Sequence, residues 1–260
     1  MKISRQHYIE KKKLCIICGD PSKKYSSEEH IFPESLVKYG PTLKKGIVCD
    51  NCNNKGLSQA DKTFQDWKPI SFYKVWFGGK TKKRKFPRAQ IGELEFVKKD
   101  FKNIQIIVPS KDAVKINVKP NKEVNFSINI VFDQPTLLPS VFLHKVVLEL
   151  IARDFGHDTA LLPQFDILRN FIKRKTGQYR HFSMCDCFIF QTSNYKWLMT
   201  KDRTLIGLLL CIAGRLFIIN ILEDFHLKGI VKSIAPQLGP EMRQWMIFKE
   251  DGKILERISG

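Results

Sequence analysis

Cys15-Ile16-Ile17-Cys18-Gly19 and Cys49-Asp50-Asn51-Cys52-Asn53 are the two stretches that decide the fold. In each, two cysteines separated by two residues can present both thiolates from one tight turn. Two such turns, here separated by thirty residues, form a four-thiolate site, which is a common ligand set of a structural zinc ion. Thiolates are soft ligands and favour Zn²⁺ in a closed four-coordinate site, with an iron–sulfur cluster as the lesser alternative. The sequence therefore predicts structural zinc bound by Cys15, Cys18, Cys49 and Cys52.

The charge of the chain indicates the kind of partner it binds. The 260 residues are 43% hydrophobic, which is enough apolar surface for a folded core and argues against a disordered chain. The formal net charge is +18, and this favours polyanions over small cations. Residues 1–120 have 26 basic and 12 acidic side chains, a net charge of +14. A polyanionic partner is therefore expected to bind mainly the first half.

The sequence has no pattern typical of secretion or of membrane insertion. No apolar stretch precedes Lys11-Lys12-Lys13 at the start of the chain. The most apolar stretch, residues 206–222, is interrupted by Gly207, Gly214, Arg215 and Asn220, and it lacks the ~20 clean apolar residues of a spanning helix. We expect a cytoplasmic protein with no membrane association. Its cysteines are then reduced and available to a metal.

Hydrophobic patterns predict an α+β chain with two parts. Residues 1–76 are expected to form a small unit stapled by zinc, because they contain few large apolar residues. A basic stretch from Phe77 to Arg88 marks the boundary, and residues 77–260 form a larger α+β domain with an antiparallel sheet and two helices. One helix starts near Pro139-Ser140 and stops at Gly156, and the other runs from Phe165 to about Gly177. Strands are predicted at 93–97, 114–118, 126–132, 187–191, 197–199, 205–211, 216–222, 245–248 and 254–258, the last two joined by a tight turn at Asp251-Gly252.

The residues that lie between and after the cysteine pairs carry a resemblance to a known family. The stretch Ser27-Glu28-Glu29-His30-Ile31-Phe32-Pro33-Glu34-Ser35-Leu36 lies between the pairs, and Asn53-Asn54-Lys55 follows the second pair directly. This combination resembles the HNH endonucleases, whose nuclease unit is the ββα-metal fold, and in particular a subgroup with EHI-x-P-E-S-L and C-x-x-C-N-N-K motifs. The resemblance covers about residues 15–61. It implies that residues 1–76 are an HNH nuclease domain that cleaves DNA.

The resemblance also implies roles for individual residues. His30 matches the histidine that acts as general base on water. Glu29 and Asn53 match the residues that bind a catalytic Mg²⁺ or Mn²⁺, although Glu28 or Asp61 could replace Glu29, and Asn54 competes with Asn53. The family has a middle Asn shortly before the second cysteine pair, whereas here residues 43–48 read Leu-Lys-Lys-Gly-Ile-Val.

These roles agree with the chemistry of phosphodiester hydrolysis. A neutral imidazole with a pKa near ~6.5 can accept a proton from water at neutral pH. Carboxylate and amide oxygens suit a hard divalent ion, which can neutralise charge on the phosphate. Adjacent residues on a strand point to opposite sides, so joint roles for Glu29 and His30 require a turn or bulge there. Three lysines could contact backbone phosphates: Lys44, Lys45 and Lys55.

The sequence thus predicts a metal-dependent DNA endonuclease with His30 as general base, and RNA stays open as a further substrate. The main alternative is a zinc-ribbon protein that binds nucleic acid without cleaving it, for which the missing middle Asn is the best argument. A third possibility is a zinc-stapled module that binds another protein. The second domain could also mediate oligomerisation.

Overall fold

The computed structural model describes most of the chain. The described residues are 14–21, 23–37, 39–77, 80, 84–91, 94–100, 104–107, 117–118, 124–125, 137–175, 182–186, 194–202, 204–221, 227–234, 237, 244–248 and 254–259. The fold mixes helix and sheet, all strand pairs of the described residues are antiparallel, and four cysteines cluster near the N-terminus. The predicted α+β class is therefore confirmed at this level. No helix within the described ranges is long and apolar enough to cross a membrane.

The first part of the chain contains two short strands followed by helices. Strand β1, Glu29–His30, pairs with β2, Thr42–Leu43, so that His30 lies opposite Thr42. A π-helical turn, Cys52–Leu57, leads into helix α1, Ser58–Asp66. The second cysteine pair therefore opens the helical segment that follows the hairpin.

Helix α2, Lys68–Phe77, begins directly after α1. Trp67 between them is extended, with ψ of 128°, and Pro69 has no amide hydrogen to continue the α1 hydrogen-bond ladder. The carbonyl of Gln65 accepts instead from Nζ of Lys74 at 3.1 Å. The last turn of α1 is thus closed by a side chain of the next helix.

Small sheets follow in the middle of the chain. Strands β3, Arg88–Ile91, β4, Leu94–Lys98, and β5, Ile104–Ile107, form a three-stranded sheet. Strands β6, Asn117–Val118, and β7, Val124–Asn125, form a separate pair. Strand β4 confirms the prediction at 93–97. The predicted strands at 126–132 and 187–191, and most of 114–118, lie outside the described residues.

Helix α3, Leu137–Asp154, lies in the centre of the protein, and residues 139–152 are all buried. A helix that is buried on every side belongs to a core rather than to a surface. The helix starts two residues before the predicted Pro139, because proline is tolerated in a first turn whose amides lack helical partners. It ends before Gly156, whose φ of 100° is accessible mainly to glycine.

The helices after α3 are short. Helix α4, His157–Ala160, and a 3₁₀ turn, Pro163–Phe165, lead into α5, Asp166–Arg174. The C-cap residue of α5 is Lys175, in the left-handed region at φ 53°, two residues before the predicted glycine.

A six-stranded antiparallel sheet completes the fold. Its strands are β8 Phe182–Asp186, β9 Asn194–Met199, β10 Leu205–Ile212, β11 Arg215–Asn220, β12 Gln244–Phe248 and β13 Ile254–Ser259. Helix α6, Leu227–Ile234, lies between β11 and β12 in the sequence. The order of the strands across the sheet is β13-β12-β8-β11-β10-β9. Ala213 and Gly214, both at positive φ, close the β10–β11 hairpin. Strands β12 and β13 pair as predicted, while the predicted Asp251-Gly252 turn lies outside the described residues.

One hydrophobic core joins the first and second parts of the chain. Phe64 of α1 stacks on Phe142 of α3, with ring centroids 4.1 Å apart, and its centroid lies 5.9 Å from that of Phe217 in β11. Side chains around the cysteine pairs belong to the same buried cluster as α3 and β10. The packing therefore holds α1 against α3, while the division at residue 76 stays a prediction.

Candidate active site and cysteine metal centre

The four cysteines of the two predicted pairs come together in space. The sulfur atoms of Cys15, Cys18, Cys49 and Cys52 all lie within 4.8 Å of one another. Sγ of Cys18 is 3.8 Å from Sγ of Cys49, which matches the ~3.8 Å edge of a tetrahedron with metal–sulfur bonds of ~2.3 Å. All four are free thiols. The cluster could therefore hold a metal ion such as zinc.

Backbone geometry gives the pairs their tight-turn form. The amide of Gly19 donates to the carbonyl of Cys15 at 2.8 Å, with Gly19 at φ 70°. The amide of Cys49 points at Sγ of Cys15 at 3.4 Å, and that of Cys52 at Sγ of Cys49 at 3.5 Å. Amide donors of this kind stabilise thiolates.

The thiols influence one another strongly. A hydrogen bond from the Cys52 thiol lowers the pKa of Cys15 to about 5, and the same bond, together with burial, raises the pKa of Cys52. Burial raises the pKa of Cys18 to about 11. Four thiolates at these distances repel one another, so the full ligand set calls for a cation to balance the charge.

Asp50, between the two cysteines of the second pair, holds the segment that leads to Glu29. Its carboxylate accepts the amides of Ser26 and Ser27, at 3.0 and 3.1 Å, and both hydroxyls, at 2.6 and 2.8 Å. These hydrogen bonds hold the pKa of Asp50 well below its usual range, and the bonds from the two hydroxyls contribute most. Nδ2 of Asn53 donates to Oγ of Ser27 at 3.3 Å. Four donor groups on one carboxylate thus fix the loop beside the cysteine cluster.

A cavity of about 800 Å³ lies beside this loop. It brings together the three predicted site residues Glu29, His30 and Asn53. The other residues that line it are Ser27, Glu28, Pro33, Glu34, Ser35, Asn54, Asp61, Lys62 and Gln65, which include the alternative ligands Glu28, Asn54 and Asp61. Oxygen donors and one imidazole therefore surround the same space.

Glu29 and His30 face different neighbours across the end of β1. Glu29 is 5% exposed, whereas the His30 side chain is 40% exposed and its Nε2 lies 3.6 Å from Oε1 of Glu34. The strand ends at His30, and a turn follows in which the amide of Leu36 donates to the carbonyl of Pro33 at 2.9 Å. Both residues nevertheless line the same cavity. Among the described residues, the side chain that pairs with the His30 ring is thus Glu34 rather than a side chain of residues 43–48.

The three lysines predicted to contact DNA are exposed. Lys44 and Lys45 follow β2, and Lys55 lies in the π-helical turn. None of them is among the residues that line the cavity. Their contact with phosphates stays a prediction.

Lys145 of α3 is the unexpected residue at this site. Its side chain is 0% exposed, and Nζ lies 2.7 Å from Oε1 of Glu29, 3.3 Å from Oδ1 of Asp61 and 3.6 Å from Oε2 of Glu149. Burial on its own would lower the pKa of Lys145, but the carboxylates outweigh it and raise that pKa. Burial raises the pKa of Glu149. Lys145 is therefore a fixed positive charge behind the cavity wall.

Two features of the sequence indicate these residues. Lys145 and Glu149 stand four residues apart in a mostly apolar helix, a position where charged residues are rare unless they are paired. Asp50 lies between Cys49 and Cys52 in the sequence, so it must be close to the cysteine cluster in space. Neither feature indicates that Asp61 is a partner of Lys145, because the two residues are 84 positions apart.

Comparison with protein-family models, with curated proteins and with solved structures finds no match to this chain.

Proposed function

We propose that this protein is a metal-dependent endonuclease that hydrolyses phosphodiester bonds of DNA. One observation carries the proposal: Glu29, His30 and Asn53 line a single cavity. The order of elements supports it, since two short antiparallel strands precede a helical segment and the histidine ends the first strand. This is the order that the resemblance to the HNH endonucleases implies.

In this proposal His30 is the general base. Its imidazole is partly exposed at the cavity, so water can reach it. On accepting a proton from water the ring becomes a cation, and the Glu34 carboxylate at 3.6 Å stabilises that cation. Glu34 thereby supplies an orienting partner in a chain without the family's middle Asn.

Glu29 and Asn53 are the proposed ligands of the catalytic divalent ion. The donors at the cavity are carboxylate and amide oxygens, which fit Mg²⁺ or Mn²⁺. When bound, such an ion would neutralise charge on the scissile phosphate and on the leaving oxygen. The cysteine cluster, with Asp50, holds the loops that present these donors.

The net charge of +18 supports a nucleic acid as substrate. A basic protein attracts the phosphate backbone through release of counterions, which makes binding weaker at high salt. Because residues 1–120 hold most of the charge and also the cavity, the attraction favours approach of DNA to that part of the chain.

Nicking of supercoiled plasmid tests this function. Zinc-loaded protein is expected to convert supercoiled plasmid to the open circle when Mg²⁺ or Mn²⁺ is added, and to leave it intact in buffer stripped of divalent ions. The divalent ion is needed because the leaving oxygen carries negative charge. An agarose gel over time measures the conversion. Equal nicking with and without the added ion would contradict the proposal.

A second candidate function is binding of nucleic acid without cleavage. The bond between Glu29 and Lys145 favours it, because a ligand already paired with an ammonium group gives less charge to a metal ion. A gel-shift titration separates the two functions. Salt-sensitive binding of plasmid that stays supercoiled for hours with Mn²⁺ would support this alternative.

A further inference from the structure

The Lys145 cluster draws its carboxylates from three elements. Glu29 is the first residue of β1, Asp61 lies in the first turn of α1 and Glu149 one turn after Lys145 in α3. Glu29 and Asp61 each have an oxygen within 3.3 Å of the same Nζ atom. One ammonium group of the second half of the chain thus sets the spacing of two carboxylates in the first half.

Burying this cluster costs folding free energy, which suggests that it has a role at the cavity. A lysine with a side chain 0% exposed loses its hydration, and an apolar pair of similar size is often as stable as a buried ion pair. Glu149 is also fully buried, and its oxygens have no hydrogen-bond partner among the described residues. Even with Glu149 neutral, the two carboxylates of Glu29 and Asp61 around one ammonium group leave negative charge in excess when they are ionised. This excess of negative charge favours a cation on the side of the cluster that Lys145 and Glu149 do not occupy.

The cavity is on that side of the cluster. Glu29 and Asp61 line it, whereas Lys145 and Glu149 do not. The Asp61 side chain is 25% exposed. A carboxylate has two oxygens, so one can accept from Lys145 while the other points to the cavity. Glu28, the other candidate ligand near β1, is exposed and is not held by this cluster.

We propose that Asp61 is a second carboxylate ligand of the divalent ion and that Lys145 is the positioning residue that holds Glu29 and Asp61 together. The inference rests on the proposed function and extends it to a helix outside the predicted nuclease domain. The ammonium group repels a nearby cation, but it also fixes two flexible side chains in one place. For binding of the divalent ion, the gain from holding the two carboxylates in place outweighs this repulsion.

The chain offers matched controls for both residues. Asp66 lies on the same helix as Asp61, and Lys74 is a second buried lysine, with Nζ 3.5 Å from Oδ1 of Asp66. Neither Asp66 nor Lys74 lines the cavity. Asp61→Asn is therefore compared with Asp66→Asn, and Lys145→Met with Lys74→Met.

The test measures binding of Mn²⁺ to the zinc-loaded full-length protein by electron paramagnetic resonance, without DNA. We expect Asp61→Asn and Lys145→Met each to weaken the affinity for Mn²⁺ at least about tenfold, equivalent to ~1.4 kcal/mol. Both control variants should stay within about twofold of the wild type. In nicking assays, the Mn²⁺ concentration for half-maximal rate should rise in the same two variants while the KM for plasmid does not change. Zinc content and circular dichroism establish that each variant is folded.

The outcomes separate this inference from the proposed function. Wild-type binding and nicking with unchanged Mn²⁺ affinity in Asp61→Asn would overturn the role of Asp61 and leave the nuclease intact. Tighter Mn²⁺ binding by Lys145→Met would overturn the positioning role, because repulsion would then dominate. An equal loss of Mn²⁺ affinity in Lys74→Met would show that Lys145→Met acts only through the stability of the fold. A wild-type protein that binds no Mn²⁺ would overturn both proposals.

Discussion

Replacing His30 with alanine is expected to lower the rate of plasmid nicking by about 10²- to 10⁴-fold, the usual contribution of a general base. The His30 side chain is 40% exposed, so its removal leaves no cavity in the core. The free energy of unfolding should change by less than about 0.5 kcal/mol. Zinc content and Mn²⁺ affinity should equal those of the wild type. The expected loss is thus one of chemistry and not of structure.

Thr42→Ala is the matched control for this variant. Thr42 is the exposed cross-strand partner of His30, so its replacement disturbs the same hairpin without removing a base. We expect nicking within about twofold of the wild type. Added imidazole should restore part of the activity of His30→Ala, because it can accept the proton from water. A His30→Ala protein that nicks plasmid at the wild-type rate would show that another group activates the water.

Replacing Cys15 with serine is expected to abolish zinc binding and to destabilise the first part of the chain. Cys15 is 0% exposed, and it accepts the amide of Cys49 from the other cysteine pair. Structural zinc sites contribute folding free energy directly. We expect the loss to exceed about 3 kcal/mol, which lowers the Tm by roughly 6–12 °C in a chain of this size. Atomic emission measures the zinc, and calorimetry measures the Tm.

Cys211→Ala is the control for the loss of a buried thiol. Cys211 lies in β10, is 4% exposed and is not part of the cysteine cluster. This variant should retain one zinc ion per chain and lose only about 1 kcal/mol of stability. Full zinc occupancy and an unchanged Tm in Cys15→Ser would mean that the four cysteines are not a structural metal site.

The parts of the site that depend on nearby residues could be predicted from the sequence. The spacing within each cysteine pair specifies a tight turn, and the four sulfurs do cluster. His30 and Asn53 each lie within a few residues of a cysteine pair or of the hairpin it holds. Because the four cysteines bring their two loops together, Glu29, His30 and Asn53 also lie close to one another.

The role of Lys145 could not be predicted in this way. Its partner Asp61 is 84 positions earlier in the sequence, and no local pattern indicates which buried helix covers the cavity. Phe64 and Phe142 stack between the same two helices, but two aromatic residues in separate helical segments do not specify a pair. Contacts of this kind depend on the whole core.

The short elements were also hard to predict. Helix α6 has apolar residues Leu227, Ile230, Val231 and Ile234 at helical spacing, yet eight residues are too few to separate helix from strand by period alone. Strand β1 has two residues, so its existence depends on pairing with β2 rather than on propensity.

The central claim is that one imidazole and one oxygen-bound ion share the cavity beside the cysteine cluster. Crystals grown with zinc and soaked in Mn²⁺ test it through anomalous scattering at the two metal edges. We predict zinc ~2.3 Å from the four cysteine sulfurs and manganese within about 2.5 Å of oxygens of Glu29 and Asn53, with His30 facing it across the cavity. A cavity without manganese, or manganese bound away from His30, would contradict the account.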